Sequence, residues 1–470
     1  MAVVDGCRLR LQPTEPLAWG GIARAAVLAV FAALGGVLHA AAQTGETSGP
    51  LQRLGRELTP VGAERAGNAD GSIPAWTGGL PQAALAPDGS HADPFADDRP
   101  LFTIDAGNAA QFGDRLSAGH RALLASRPDT FRMHVYPTRR SAALPPDVLA
   151  EIARQAPRAR TEGDRLLDVG RSAVPFPIPA DGLQAMWNHT LRWRGGSVRR
   201  VITWFPVTAS GSWRKVRLIS ALAFDQHGYM AEPRPNRLFN LLDLNLDPPL
   251  IEGAMKLVWE PVDPAAQSRA SWRYMPLARR VQRIPSLAYD DIDPSTNGLR
   301  TDDQYDGWNG APDRYDWKLV GKRELYIGYN AYRLGAKTLA YADILQRGHV
   351  NPQLLRYELH RVWVVEATLR AGAKHLYPRR VFYLDEDSWQ VALEEAYDAA
   401  GRLWRVGDHQ TMQFYDAMVP WYRATIHHDL RAGAYLVSFL DNEEQGPWRW
   451  GWTGRIDDFT PGNLRRLGLR

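Results

Sequence analysis

The chain has 470 residues, of which 45% are hydrophobic and 23% are charged, as in a globular protein with a sizeable core. The formal net charge is only +4, from 56 basic and 52 acidic residues. The two signs are interspersed without a basic block or a nucleic-acid-binding motif, so the composition argues against a nucleic-acid-binding protein.

Residues 1–42 have the pattern of a secretory signal peptide. Basic residues, the last of them Arg24, precede a short apolar run over 25–38, and alanines follow it. This pattern predicts cleavage after about Ala42. A retained anchor is the alternative, although the run is shorter than the roughly 20 residues that cross a bilayer. We therefore expect export to the periplasm.

The single cysteine, Cys7, lies in this leader. The mature protein would then contain no thiol, which excludes disulfides, thiolate metal ligands and cysteine redox chemistry. No later apolar run is long enough to span a membrane, so we expect the mature chain to be soluble.

Residues 43–180 predict an irregular and helical segment that packs on the rest of the chain. Turn-forming residues surround Trp76, which we interpret as a buried anchor or, alternatively, as a ligand contact. Periodicity predicts helices over 109–126 and 146–155. The proline-rich stretch 175–179 cannot be a central strand, because proline lacks the backbone donor, and it marks a segment boundary.

Residues 181–470 predict an antiparallel β-domain that is continuous with 43–180 in one structural unit. A short helix begins near residue 181, and the apolar period then changes to two. The predicted strands are 198–206, 213–224, 255–259, 269–275, 279–283, the aromatic segment 326–332, 355–370, 379–385, 390–397 and 402–408. Several are apolar on both faces, so both faces of the sheet must be covered. A curved sheet with helices on its concave side would do this and leave an apolar hollow. The expected fold class is α+β and β-rich.

A long loop rich in aspartate and asparagine, over 290–316, follows the basic strand 279–283. We call it the acidic loop. Its oxygen ligands could bind calcium near Asp302, although the spacing is not that of an EF-hand. The alternative is a solvated loop whose carboxylates pair with the arginines of 279–283. The neighbours Asp302 and Asp303 could also form a hydrolytic pair, which requires a defined separation.

The chain contains none of the usual catalytic signatures, such as G-x-S-x-G, H-E-x-x-H, a Walker loop or G-x-G-x-x-G. We assign no catalytic, cofactor-binding or metal-ligating residue. The candidate ligand-binding residues are aromatic residues and one arginine, namely Trp76, Trp272, Tyr274, Tyr357, Arg361 and Trp363. Arg361 falls at a core position, where a buried arginine needs a partner. Glu395 or another strand carboxylate could supply it, or the anionic head group of a lipid.

Five stretches carry a resemblance to a known family. They are 58–79 (LTPVGAERAGNADGSIPAWTGG), 272–291 (WRYMPLARRVQRIPSLAYDD), 297–303 (NGLRTDD), 308–332 (WNGAPDRYDWKLVGKRELYIGYNAY) and 459–470 (FTPGNLRRLGLR). They resemble a proteobacterial family of unknown function, family 1329, whose members are described as outer membrane lipoprotein-sorting-like proteins. That family is similar to the LolA/LolB lipoprotein carriers.

This resemblance implies a half-open antiparallel β-barrel closed by helices around an apolar cavity. It also implies a role in moving lipophilic molecules, with an inner-membrane RND-type transporter or an outer-membrane protein as partner. It assigns no role to any individual residue.

We therefore expect a non-enzymatic periplasmic carrier or adaptor for a lipid or a lipoprotein acyl chain, without a cofactor. One alternative is a structural or interaction subunit of an envelope transporter assembly. The other is an envelope hydrolase without a recognisable signature.

Overall fold

The computed structural model describes residues 49–225, 236–284, 289–292, 294–452 and 455–468. Within these ranges no helix combines the length and the apolar character that a membrane span requires. The described residues belong to one compact unit.

One large sheet dominates this unit. In chain order the strands are β1 (Phe102–Ile104), β2 (Met133–Val135), β3 (Arg160–Glu162), β4 (Arg165–Leu167), β5 (Ser197–Val207), β6 (Val216–Ala223), β7 (Phe239–Asp247), β8 (Met255–Glu260), β9 (Ala270–Met275), β10 (Arg280–Ile284), β11 (Tyr315–Gly328), β12 (Tyr357–Leu369), β13 (Arg379–Asp385), β14 (Val391–Tyr397), β15 (Leu403–Phe414), β16 (Val419–Asp429), β17 (Ala434–Leu440) and β18 (Arg449–Trp450). The α-helices are α1 (Ala118–Ser126), α2 (Pro146–Gln155), α3 (Gly182–Leu191), α4 (Tyr341–Ile344) and α5 (Pro461–Gly468). Strands β3 and β4 form a separate hairpin.

Most of the sheet consists of two antiparallel meanders, β5 to β10 and β11 to β17. Strands β1 and β2 join it through a parallel contact of β2 with β12, and β18 pairs with β5. Strand β17 pairs with β5 and so joins the end of the second meander to the start of the first. In the described part of the chain the strand order is linear, with β10 at one end and β11 and β1 at the other. The sheet is therefore open and does not close into a barrel, which confirms the expected β-rich fold class.

Both faces of the sheet are covered, as the apolar strands predicted. Alternate residues of β17 enter different parts of the core, because successive side chains of a strand point to opposite faces. Leu436 belongs to the cluster that contains Trp204 and Trp421. Tyr435 and Val437 belong to the cluster that contains the α1 leucines.

One predicted helix and one region without a predicted strand differ from the structure in the part that holds the site and its neighbours. The single helix over 109–126 is wrong: residues Ala109–Arg115 form a 3₁₀ segment, and α1 begins only after Ser117. The Ser117 side chain accepts a hydrogen bond from the His120 backbone N–H and so caps a new helix. Strand β7 was not predicted, because its aspartates and asparagines are poor strand formers and only the packing of its neighbours holds it in the sheet.

Candidate functional site

A cavity of about 40 Å³ lies between strands β5, β7 and β8 and the acidic loop. The strands supply an apolar wall with charged groups beside it, and the acidic loop supplies the other wall, which is polar. The lining residues are Trp204, Phe239, Leu241, Asp243, Lys256, Val258, Glu260, Arg269, Arg300, Asp302, Tyr305 and Asn309. We call this space the Arg300 cavity.

The pleat of β7 and β8 explains the strand side of the cavity. Phe239 and Leu241 alternate along β7 and point to the same face, because side chains of a strand repeat every two residues. The register places Phe239 opposite Glu260 and Leu241 opposite Val258. Phe239 and Leu241 therefore each lie opposite a cavity-lining residue of β8.

Arg300 is the unusual residue of this site. Its side chain is buried, with 2% exposed, and its guanidinium lies 4.8 Å from the Trp204 ring centroid and 5.6 Å from that of Tyr305. Its Nε and Nη1 have no hydrogen-bond partner, and it makes no ion pair with a carboxylate in the described part of the chain. Asp243, Glu260 and Asp302 line the same cavity but none of them forms an ion pair with Arg300. A buried guanidinium that no carboxylate contacts directly is costly, and ring contacts offset only part of that cost.

Tyr305 lies between two buried arginines. The Arg200 Nη2 atom is 3.5 Å from the Tyr305 hydroxyl, and the Arg200 guanidinium also contacts the rings of Trp421 and Trp448. Burial raises the pKa of Tyr305 to about 12. The phenol therefore stays protonated at neutral pH and gives Arg300 no counter-charge.

The acidic loop folds over the sheet and pairs with basic residues on two strands and on the segments between strands. The pairs are Asp302 with Lys256 and Arg269, Asp303 with Arg380 and His375, and Asp306 with Arg192 and Arg194. The predicted pairing of this loop with Arg279, Arg280 and Arg283 is therefore wrong: these three side chains are exposed and lie on the hairpin of β9 and β10.

These ion pairs fix the protonation of the loop carboxylates. Burial alone would raise the pKa of Asp303, but Arg380 and His375 outweigh it and hold that pKa well below its usual range. Burial would likewise raise the pKa of Asp306, but Arg192 and Arg194 outweigh it and lower that pKa to about 2. A hydrolytic pair needs one carboxyl that is protonated near neutral pH. Asp303 cannot be that acid.

The described residues contain one cluster that could ligate a metal ion, and it lies outside the acidic loop. Its members are His360, Asp385 and Asp387, whose ligand atoms all lie within 4.8 Å of one another. Asp387 already accepts two hydrogen bonds from Arg140, at 2.8 and 2.7 Å. Asp387 is therefore poorly placed to bind a metal ion. Calcium binding by the acidic loop stays an untested prediction.

Three of the predicted site residues lie on β12. Tyr357 is buried and donates a hydrogen bond of 2.6 Å to Asp408. Arg361 pairs with Glu386 at 3.4 Å, Glu64 at 3.6 Å and Glu324 of β11 at 4.0 Å. Its partner is therefore another strand carboxylate, as the sequence allowed, and not Glu395. Trp363 is half-buried and stacks against the Trp389 ring.

The other three lie elsewhere. Trp272 and Tyr274 are on β9 and pack in the cluster that contains Leu464 of α5. The Tyr274 hydroxyl donates to the Gly468 carbonyl at 2.7 Å, which ties α5 to the sheet. Trp76 is half-buried under the guanidinium of Arg65. The six predicted residues therefore do not converge on one site, and none of them lines the Arg300 cavity.

The interior offers less space than the sequence suggested. A second cavity, of about 30 Å³, lies beside Tyr332, Phe414 and Trp448, and the ion pair between Arg423 and Asp441 satisfies its charges. Cavities of 30–40 Å³ hold a water molecule or two. Neither of these two cavities is the open apolar hollow that the sequence predicts.

The sequence pattern does not single out Arg300, although Arg300 lies within the family-like stretch 297–303. Three aspartates follow it within six residues, and each was a plausible partner from spacing alone. Only the path of the loop, which directs Asp302 and Asp303 to other cations, leaves Arg300 without one.

Comparisons with known proteins place the chain in a family. Residues 103–465 match the family described as Protein of unknown function (DUF1329). An uncharacterized protein from Pseudomonas aeruginosa is 44% identical over 423 residues, which cover 89% of this chain and 93% of that protein.

Two solved structures are more distant. A DUF1329 family protein from Desulfovibrio piger has a TM-score of 0.42 at 14% identity, covering 61% of this chain and 100% of that one. A LolA superfamily protein from Nitrosomonas europaea has a TM-score of 0.36 at 12% identity, and the match covers 60% of this chain and 98% of that one. Likeness at this level carries nothing about function. The match over 103–465 and the relative from Pseudomonas aeruginosa are sufficient: the chain belongs to the DUF1329 family, as its five characteristic stretches predicted.

Proposed function

We propose that this protein is a non-enzymatic carrier or adaptor that binds a lipophilic molecule through an anionic group. The observation that carries the proposal is Arg300, a buried guanidinium without a carboxylate partner among the described residues, in a cavity with an aromatic and aliphatic wall. A carboxylate or phosphate placed there would form charge-assisted hydrogen bonds with the guanidinium.

The apolar wall gives the ligand its second property. Trp204, Phe239 and Leu241 line the cavity beside Arg300. Contact with these side chains favours hydrocarbon by about 25 cal/mol for each Å² removed from water. An anionic head with an apolar body, as in a fatty acid or a phospholipid, matches both walls.

The size of the cavity sets a condition on binding. About 40 Å³ accommodates a carboxylate in place of one or two water molecules but not a hydrocarbon chain. The ligand body can therefore enter only if the cavity wall moves. Asp302 contacts Lys256 and Arg269 at 3.4 Å each, and these longer ion pairs are the contacts that we expect to open.

The proposed setting is the bacterial envelope. The leader pattern of residues 1–42 supports export and cleavage, and hence a periplasmic location. An inner-membrane RND-type transporter or an outer-membrane protein is the proposed partner, on the family resemblance alone.

The test compares oleate with oleyl alcohol, which share a chain and differ in charge. Wild-type protein is expected to bind oleate at least tenfold more tightly, measured by native mass spectrometry and by fluorescence displacement. Arg300→Met should abolish this preference and leave oleyl alcohol binding unchanged.

Arg405→Met is the matched control, because Arg405 is also buried but pairs with Asp429. It should keep the preference for oleate. The proposal is wrong if wild-type protein, extracted from native material, carries no lipid and also binds neither probe.

A further inference from the structure

Two turns at the same end of the sheet expose leucines. Leu250 lies in the turn between β7 and β8 and is 86% exposed, and Leu277 lies in the turn between β9 and β10 and is 95% exposed. Met275, at the end of β9, is also exposed. We call these three side chains the apolar tip.

The two turns are in contact. Strands β8 and β9 pair with Met255 opposite Tyr274, so the turn that precedes β8 and the turn that follows β9 lie side by side. A Cβ atom added at Gly253 would lie 3.4 Å from the Pro276 side chain, an ordinary van der Waals distance. The apolar tip is therefore one continuous projection.

Arginines surround the apolar tip. The hairpin over 270–284 contains Arg273, Arg279, Arg280 and Arg283 and no acidic residue. All four are exposed, and none forms an ion pair with another residue that the structure describes. On the neighbouring turn Glu252 is exposed and Asp247 lies 3.8 Å from Lys215. The positive charges outnumber the single unpaired acid at this end of the sheet.

Protection of the sheet edge explains only part of this arrangement. Strand β10 is the last strand of the sheet, and charged side chains on an edge strand hinder pairing with another chain. That accounts for Arg280 and Arg283. It does not account for Leu250 and Leu277, because apolar side chains on two adjacent turns add nothing to the core.

We propose that the apolar tip docks on a bilayer that contains anionic lipid. Leu250, Met275 and Leu277 would enter the boundary between head groups and acyl chains, while the hairpin arginines contact the lipid phosphates. Apolar side chains with a basic surround are the combination that interfacial membrane binding uses, and each basic residue near an anionic surface adds to the attraction. The proposal does not depend on a ligand in the Arg300 cavity, but it would place such a protein beside its source of lipid.

Vesicle flotation tests the proposal. The full chain is expressed with its N-terminal segment so that any processing occurs, and all variants are compared with that same N-terminus. Wild-type protein should float with vesicles of phosphatidylcholine and 30% phosphatidylglycerol and much less with phosphatidylcholine alone. Raising the salt concentration from 0.05 to 0.5 M should weaken the binding, because salt screens exposed charges.

Two variants divide the contributions. Leu250→Ser with Leu277→Ser should lower the partition coefficient at least tenfold. Arg280→Gln with Arg283→Gln should remove the preference for the anionic vesicles.

The matched control is Leu101→Ser with Val320→Ser. These two exposed apolar residues, 63% and 54% exposed, lie near β1 and on β11, at the other end of the strand order. This control should bind as wild type does. The proposal is overturned if the tip variant floats like wild type, or if wild type shows no preference for anionic vesicles. Binding that only a protein partner restores would also overturn it.

Discussion

Arg300 and Arg380 are both buried arginines, and they differ in what surrounds them. The Arg380 guanidinium forms ion pairs of 2.6 Å with Asp303 and with Glu394. These carboxylates, together with Tyr315 and Tyr377, more than offset burial and hold the pKa of Arg380 well above its usual value. Arg300 has aromatic rings near it but no such carboxylate. We infer that Arg380 stabilises the fold, whereas Arg300 serves the ligand binding proposed above.

We predict opposite effects on stability for the two arginines. Arg300→Met removes an uncompensated charge, so the free energy of unfolding should stay the same or rise by about 1–3 kcal/mol. Arg380→Met leaves Asp303 and Glu394 buried without a cation and should lower it by about 3–5 kcal/mol. Urea denaturation followed by tryptophan fluorescence measures both. A clear loss of stability in Arg300→Met would show that Arg300 has a stabilising partner in the folded chain.

At the scale of elements, helix α1 depends on one hydroxyl. Ser117 is buried, and its Oγ accepts a hydrogen bond of 3.0 Å from the His120 backbone N–H. This bond satisfies one of the N–H groups that every helix leaves free at its start. It also explains why the predicted helix over 109–126 is divided at this point.

We predict that Ser117→Ala lowers the free energy of unfolding by about 1 kcal/mol. Ser126→Ala, at the end of the same helix, should change it by less than about 0.5 kcal/mol, since that exposed residue's hydroxyl only donates to the Leu123 carbonyl. Thermal unfolding followed by circular dichroism compares the two. Equal effects would contradict a special role for the cap.

At the scale of the whole molecule, the stability of the compact unit depends on histidines that are buried without charge. Burial lowers the pKa of four of them, namely His189, His409, His427 and His428. For His409 and for His428 the value falls to about 4. The unfolded chain takes up a proton near pH 6.5, whereas the folded chain does so only near pH 4. Folding is therefore increasingly disfavoured as the pH falls through this window.

We predict that the free energy of unfolding is highest above pH 6.5 and decreases between pH 6.5 and 4. His409 alone should contribute about 3 kcal/mol to this decrease. His409→Leu should flatten the dependence, because neither ring nitrogen of His409 has a hydrogen-bond partner that would be lost. Denaturant titrations at half-unit pH steps measure it. An unchanged slope in His409→Leu would show that His409 is already protonated in the folded chain.

Much of the fold followed from local patterns. The predicted strands 379–385 and 255–259 match β13 and β8 closely, and α2 has the bounds that periodicity predicted. These segments alternate or repeat clearly and end at strong turn or helix-stop signals. Strand β11 was less clear: it begins at Tyr315, well before the expected aromatic segment 326–332, because its first half is charged and only its pairing with β12 makes it a strand.

Family membership, the β-rich class, the covered sheet and the leader pattern could be read from the sequence, because each rests on composition, periodicity or motifs that neighbouring residues carry. Which charges meet depends on the tertiary structure. It directed the loop aspartates to Arg192, Arg269 and Arg380, gave Arg361 its glutamate partners, and left Arg300 alone beside Trp204. An ion pair joins residues that are distant in the chain, and only the folded path of the loop brings them within reach.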